Sequence, residues 1–145
     1  MIRLVDIRHR YSSADGDSGV ALDGVTLEVR EGETLCLIGR SGSGKTTLMK
    51  TINRLVVPAS GEVWVCGENV ASLDPVRLRR KIGYVIQSGG LFPHFTVADN
   101  VGLLCRLEGW EGAKTRARVE ELLQLVNLDP SQFGDRYPGE LSGGQ

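Results

Sequence analysis

The sequence lacks any charge imbalance: 17 Lys+Arg face 18 Asp+Glu, for a net charge of −1. That leaves no basic excess for nucleic acid and no basic amphipathic segment for a membrane surface. It also lacks an apolar run long enough to span a bilayer. Its first residues, MIRLVDIRHRY, alternate apolar and polar, without the basic opening and apolar centre of a secretory signal. Repeats and low-complexity tracts are missing as well. Cysteine is scarce. Cys36, Cys66 and Cys105 are odd in number, far apart and set among apolar residues. That pattern favours free, buried thiols in a reducing compartment over disulfides or a metal site. These absences lead us to expect a soluble, cytosolic, globular chain, and 145 residues are one ordinary domain's worth.

Glycine is the abundant residue, at 19. It clusters around residues 39–44, at Gly89 and Gly90, and at Gly139, Gly143 and Gly144. Clusters of this kind suggest backbone approaching a ligand closely rather than a flexible linker.

The alternation in residues 2–11 predicts a strand with Ile2, Leu4 and Asp6 on one face. Residues 12–19 predict a turn, and VTLEV at 25–29 a half-buried strand. TLCLIG at 34–39 and IGYVIQ at 82–87 are short continuous apolar runs, which predict strands buried on both faces of a parallel sheet. GEVWVCG at 61–67 is a strand bounded by glycines. Helices are predicted over 45–55, from Asp74 as N-cap with Pro75 following, from Thr96 as N-cap with Asp99 in the first turn, and over 111–128. In the last of these Val119, Leu122, Leu123 and Val126 form one apolar stripe. Arg77, Arg79, Arg80 and Lys81 read as a solvated helix face. Residues 129–145 read as loop. The order of elements suggests an α/β nucleotide-binding core with a β lobe and a helical lobe.

Residues 39–46, GRSGSGKT, fit the pattern G-x-x-x-x-G-K-[ST] at every fixed position and lie between a predicted strand and a predicted helix. Gly39, Arg40, Ser41, Gly42, Ser43 and Gly44 would turn backbone N–H groups inward as an anion nest. The helix starting at Lys45 adds its dipole and the free N–H groups of its first turn, those of Thr46 and Thr47 among them. Lys45 reaches the β- and γ-phosphates, and the Thr46 hydroxyl suits Mg²⁺. This motif alone does not choose among kinases, GTPases and ATPases.

The last five residues, LSGGQ, follow YPGE. Together with the upstream phosphate loop, this pair resembles the signature of ATP-binding cassette (ABC) ATPases, and the resemblance covers essentially the whole chain. It implies an α/β P-loop NTPase core with an antiparallel β lobe and a helical lobe, divided as residues 1–95 and 96–145. It implies ATP and Mg²⁺ as ligands. Tyr11 takes the place of the adenine-stacking aromatic, the alternative being a half-buried strand tyrosine. Gln87 takes the place of the glutamine that touches Mg²⁺ or the attacking water, the alternative being a strand-end surface residue. Lys45 and Gln87 would thus share the catalytic work, with Thr46 and Gln87 near the metal. Ser142, Gly143, Gly144 and Gln145 would close on the γ-phosphate held by a second subunit, head to tail. The apolar loop of residues 88–95 (Leu91, Phe92, Pro93, Phe95) would be partly buried and partly a groove for a membrane permease subunit. His94 reads as a loop residue.

INRL and VIQ…GLFPH are similar to the import ATPases for quaternary-amine osmoprotectants, which work indirectly with a substrate-binding protein. That implies a cytoplasmic protein peripheral on the inner membrane face, and no nucleic-acid partner. Arg40 and VGLLCRLEGW are less typical. The resemblance also implies a later apolar strand ending in Asp-Glu and a switch histidine, and no apolar run here ends in Asp-Glu. The chain therefore reads as an N-terminal part, with the C-terminal part of the core missing, expected to bind nucleotide weakly and to hydrolyse it negligibly alone. Two rivals stand beside this: a soluble ABC ATPase of DNA repair or translation, and a non-catalytic nucleotide-binding fragment.

Overall fold

A computed structural model describes residues 1–12, 18–87 and 89–145. Most of the predicted turn at 12–19, and Ser88 of the apolar loop, lie outside the described residues. The chain divides into two compact units, Met1–Gly83 and Tyr84–Gln145.

The first unit is built on a four-stranded antiparallel sheet. Its strands are β1 (Ile2–Ser12), β2 (Ser18–Val29), β3 (Ser60–Val65) and β4 (Glu68–Asn69), in the order β2-β1-β3-β4. The central strand β1 pairs Leu4 with Leu27 on one side and with Val63 on the other. Its alternation breaks at Asp6, which adopts a left-handed φ of 47° and donates its N–H to the Thr26 hydroxyl at 3.0 Å. The inserted residue shifts the register between Leu4 and Ile7 on the β2 side. Leu4 and Ile7, not Leu4 and Asp6, are therefore the fully buried pair. Gly61 of β3 faces this bulge, and a Cβ there would lie 2.5 Å from the carbonyl oxygens of Val5 and Asp6.

Leu4, Ile7, Leu22 and Val63 of the sheet pack with Leu48, Val70 and Leu78. Each such side chain contributes about 1.5–3 kcal/mol by leaving water. Leu48 comes from helix α1 (Lys45–Ile52) and Leu78 from helix α2 (Pro75–Arg80). Asp74 caps α2 by accepting the Arg77 N–H at 2.8 Å, and Pro75 opens it. Arg79 departs from the solvated face expected for its run. Its guanidinium donates to the carbonyls of Asn53 (3.1 Å) and Arg54 (2.7 Å) just beyond α1.

Among the described residues the two apolar runs expected as buried parallel strands join no ladder. Leu37 and Ile82 pack on the core, but Ile38 is 92% and Val85 93% exposed. A strand exists only through its neighbours, and the described residues offer these runs no neighbour. The cysteines correct another expectation. All three are free, but Cys36 and Cys66 are exposed and Cys105 is only half-buried. Cys36 lies in an unpaired run, and Cys66 takes a left-handed φ in the tight turn between β3 and β4.

The second unit is helical. Helix α3 (Val97–Leu107) is capped by Thr96, whose hydroxyl accepts the Asp99 N–H at 3.1 Å. Helix α4 (Gly112–Leu125) packs on it at Gly102, where a Cβ would stand 3.2 Å from the Thr115 and Val119 methyls. The buried face of α4 is Thr115, Val119 and Leu123. Val126, expected to complete the stripe, is the C-cap and is 61% exposed, and Asn127 follows with a left-handed φ that turns the chain away. Residues 129–145, read as loop, include a short helix α5 (Pro130–Phe133) and a 3-10 turn (Pro138–Glu140). This segment also supplies acceptors to α3: Val97 N–H donates to Arg136 O and Ala98 N–H to Gly134 O.

Candidate functional site: the phosphate loop and the signature turn

Residues 39–44 lead into α1 without intervening structure. Gly44 is the N-cap residue, with φ 86°. A Cβ there would lie 2.3 Å from the Ala21 carbonyl oxygen and 3.1 Å from Leu22 Cδ2, so the loop lies directly on β2 and only glycine fits. Gly42 is also left-handed, at 80°. The turn is closed by Ser43 N–H donating to Arg40 O at 3.2 Å. The first α-helical bond of this segment runs from Leu48 N–H to Gly44 O. The N–H groups of Lys45, Thr46 and Thr47 therefore precede it and point out of the helix start. The first turn of α1 holds no acidic side chain, so nothing opposes an anion there.

The Lys45 ammonium is folded into the loop. It donates to Gly39 O (2.8 Å), Arg40 O (2.7 Å) and Ser43 Oγ (3.1 Å). These are neutral acceptors in an exposed setting, and a polyphosphate would offer the same cation stronger, charged ones. Arg40, Ser41 and Thr46 are exposed, so two further hydroxyls and a second cation stand at the same place. Loop, helix start and donors fit a nucleotide's phosphates. For a metal, the exposed Thr46 hydroxyl is a hard oxygen donor of the kind Mg²⁺ takes. Among the described residues no group of three His, Cys, Asp or Glu is placed to hold a metal.

Tyr11, near the end of β1, reaches the same helix. Its hydroxyl is 3.3 Å from Thr47 Oγ1, while the residue as a whole remains 49% exposed. Thr47 is buried, which the phosphate-loop motif alone does not indicate. The structure thus brings Tyr11 and residues 39–47 together in the first unit. Gln87 and the signature residues belong to the second.

Gln87 is exposed. Ser142, Gly143, Gly144 and Gln145 form a turn in which Gln145 N–H donates to Ser142 O (2.9 Å) and Ser142 N–H to the Gln145 amide oxygen (3.0 Å). Neither Gly143 nor Gly144 takes a left-handed φ, and a Cβ on either would meet open space. Leu141 packs on Val97, Val119 and Leu123 and so roots this turn in the helical core. Just before it, Glu140 accepts the Tyr137 N–H at 2.7 Å.

Sequence reasoning missed Asn100. Its side chain accepts the Phe92 N–H (2.7 Å) and donates to the carbonyls of Phe92, Phe95 and Thr96 (2.9–3.1 Å), pinning the apolar loop to α3. No local pattern marks it, because its partners are fixed only by the loop's fold. Leu91 and Phe92 stay exposed, Phe95 is half-buried, and Phe92, His94 and Phe95 pack ring against ring. Among the described residues no helix is long and apolar enough to cross a membrane.

The osmoprotectant import ATP-binding protein OsmV of Salmonella typhimurium is 47% identical over the full chain, which spans 38% of that protein. The glycine betaine/carnitine/choline transport ATP-binding protein OpuCA of Bacillus subtilis is 53% identical over 125 residues, or 86% of this chain and 33% of that protein. The chain therefore spans between a third and two fifths of these relatives. Among solved structures, a dimeric ATP-binding cassette in a post-hydrolysis state with ADP and Pi superposes with a TM-score of 0.88 at 34% identity, covering all of this chain and 65% of that one. A family model described as ABC transporter matches residues 22–145. Because that match runs through both the phosphate loop and the closing LSGGQ turn, the chain belongs to the ABC transporter family.

Proposed function

We propose that this chain carries the phosphate loop and signature turn of the ATP-binding subunit of an importer, and that the importer's solute is a quaternary-amine osmoprotectant of the glycine betaine or choline type. The observation that carries this reading is the Lys45 ammonium, held on Gly39 O, Arg40 O and Ser43 Oγ at the start of α1. On ATP binding Lys45 exchanges these neutral acceptors for β- and γ-phosphate oxygens. The N–H groups of residues 41–47 hold the remaining phosphate oxygens. Tyr11 stacks on the base. Thr46 and Gln87 are the residues that would hold Mg²⁺, and the ion would supply charge neutralisation on the phosphates. Residues 142–145 close on the γ-phosphate held by a second copy, head to tail, so that binding joins two subunits and hydrolysis releases them. Residues 87–95 receive the permease subunit, which places the protein on the cytoplasmic face of the membrane and couples it indirectly to a substrate-binding protein. Identity to relatives named for osmoprotectant, glycine betaine and choline transport supports the choice of solute.

The test is ATP hydrolysis and solute uptake by the whole protein assembled with its permease in vesicles. Lys45→Ala is expected to lower both at least about a hundredfold, the scale of losing a charge-stabilising group. Uptake of a trimethylammonium solute that persists in the variant would overturn the reading.

A further inference from the structure

We propose that His9 is a positioning residue for the base end of the nucleotide site, holding the Tyr11 ring at a fixed angle. The inference rests on Tyr11 being the base-stacking residue. His9 and Tyr11 are two apart on β1, and their rings meet despite the register shift between His9 and Arg10. Their ring centroids are 4.8 Å apart with planes at 84°, an edge-on contact. The strand partner of Tyr11 is Gly19, which supplies no side chain to steady the ring from across the ladder. The Tyr11 hydroxyl is 3.3 Å from Thr47 Oγ1 on α1. One contact therefore tethers the tip of the ring and the other fences its flank, while about half the side chain stays open to a ligand.

His9 is also tied to the phosphate end. Its strand partner is Leu22, whose Cδ2 lies against Gly44 of the phosphate loop. Among the described residues the His9 Nδ1 is buried without a hydrogen-bond partner.

The experiment measures binding of ATP and of tripolyphosphate, which lacks a base, to the whole protein and to His9→Ala, His9→Phe and Tyr11→Ala. His9→Ala is expected to weaken ATP roughly three- to tenfold, the scale of an aromatic pair, and to leave tripolyphosphate unchanged. His9→Phe keeps a ring edge against Tyr11 and is expected to restore ATP affinity. Unchanged ATP affinity in His9→Ala, with weakened affinity in Tyr11→Ala, would overturn the positioning role alone. Equal weakening of ATP and tripolyphosphate in His9→Ala, or no rescue by His9→Phe, would overturn it too. Unchanged ATP affinity in Tyr11→Ala would remove the base-stacking reading and this inference with it.

Discussion

Arg79 and Arg54 clasp each other's segments. Arg79 Nη2 donates to the Arg54 carbonyl at 2.7 Å, while Arg54 Nη1 donates to the Leu73 carbonyl at 2.6 Å. Together they fasten the end of α1 to the start of α2. Each is a charge-assisted bond to a backbone carbonyl. Arg79→Ala and Arg54→Ala are each expected to destabilise the protein by about 1–2 kcal/mol, and the double variant by less than the sum. Thermal unfolding of the three variants checks this, and strict additivity would show that the two arginines act separately.

Two glycines of the site should respond in opposite ways. Gly44 has a left-handed φ and a carbonyl oxygen where a Cβ would go, so Gly44→Ala forces the loop off β2 and should abolish nucleotide binding and lower Tm together. Gly143 has neither constraint. Gly143→Ala should leave the unfolding free energy within about 0.5 kcal/mol of the parent and reduce only the ATPase activity that depends on two copies. A lowered Tm in Gly143→Ala would contradict the open setting of the signature turn.

Asn100→Ala removes four hydrogen bonds to residues 92–96 and leaves backbone groups unpaired. Hydrogen exchange of residues 89–95 should accelerate, with a cost of about 1–3 kcal/mol. Uptake should fall while nucleotide affinity holds, because the phosphate loop lies in the other unit.

Asp129 caps α5 by accepting the Ser131 hydroxyl at 2.7 Å and the Ser131 N–H at 2.9 Å, and these bonds hold its carboxyl below the usual range. A depressed folded-state value means the contribution is complete above the ordinary carboxylate range and is lost as pH falls through the lowered value. Asp129→Asn should therefore narrow the stability difference between neutral and strongly acidic pH. An unchanged acid-unfolding profile would remove Asp129 from that balance.

A polypeptide of these 145 residues alone should show no turnover that Lys45→Ala abolishes, since it contains no apolar strand ending in Asp-Glu to polarise an attacking water. Phosphate-loop-dependent hydrolysis by that polypeptide would reassign the chemistry to residues within it.

What was legible in the sequence was local. The Asp74 and Thr96 caps and the helix starts each depend on a few consecutive residues, and each formed as read. The Asp6 bulge was not legible, because alternation cannot show where a strand gains a residue against its partner. Asn100 was hidden for the same reason, its acceptors being brought to it by the fold of the loop. The runs at 34–39 and 82–87 failed differently. Their composition suits a buried strand, but pairing belongs to the neighbour and not to the run.

Those two runs carry a consequence for the behaviour of the 145-residue polypeptide in solution. Ile38 and Val85 stand almost wholly in water, in runs that join no strand ladder among the described residues. A second molecule can satisfy both needs at once, by offering its own open run as a ladder. Self-association of such a polypeptide should then follow mass action, growing with concentration and retreating when a matching strand is supplied as a peptide.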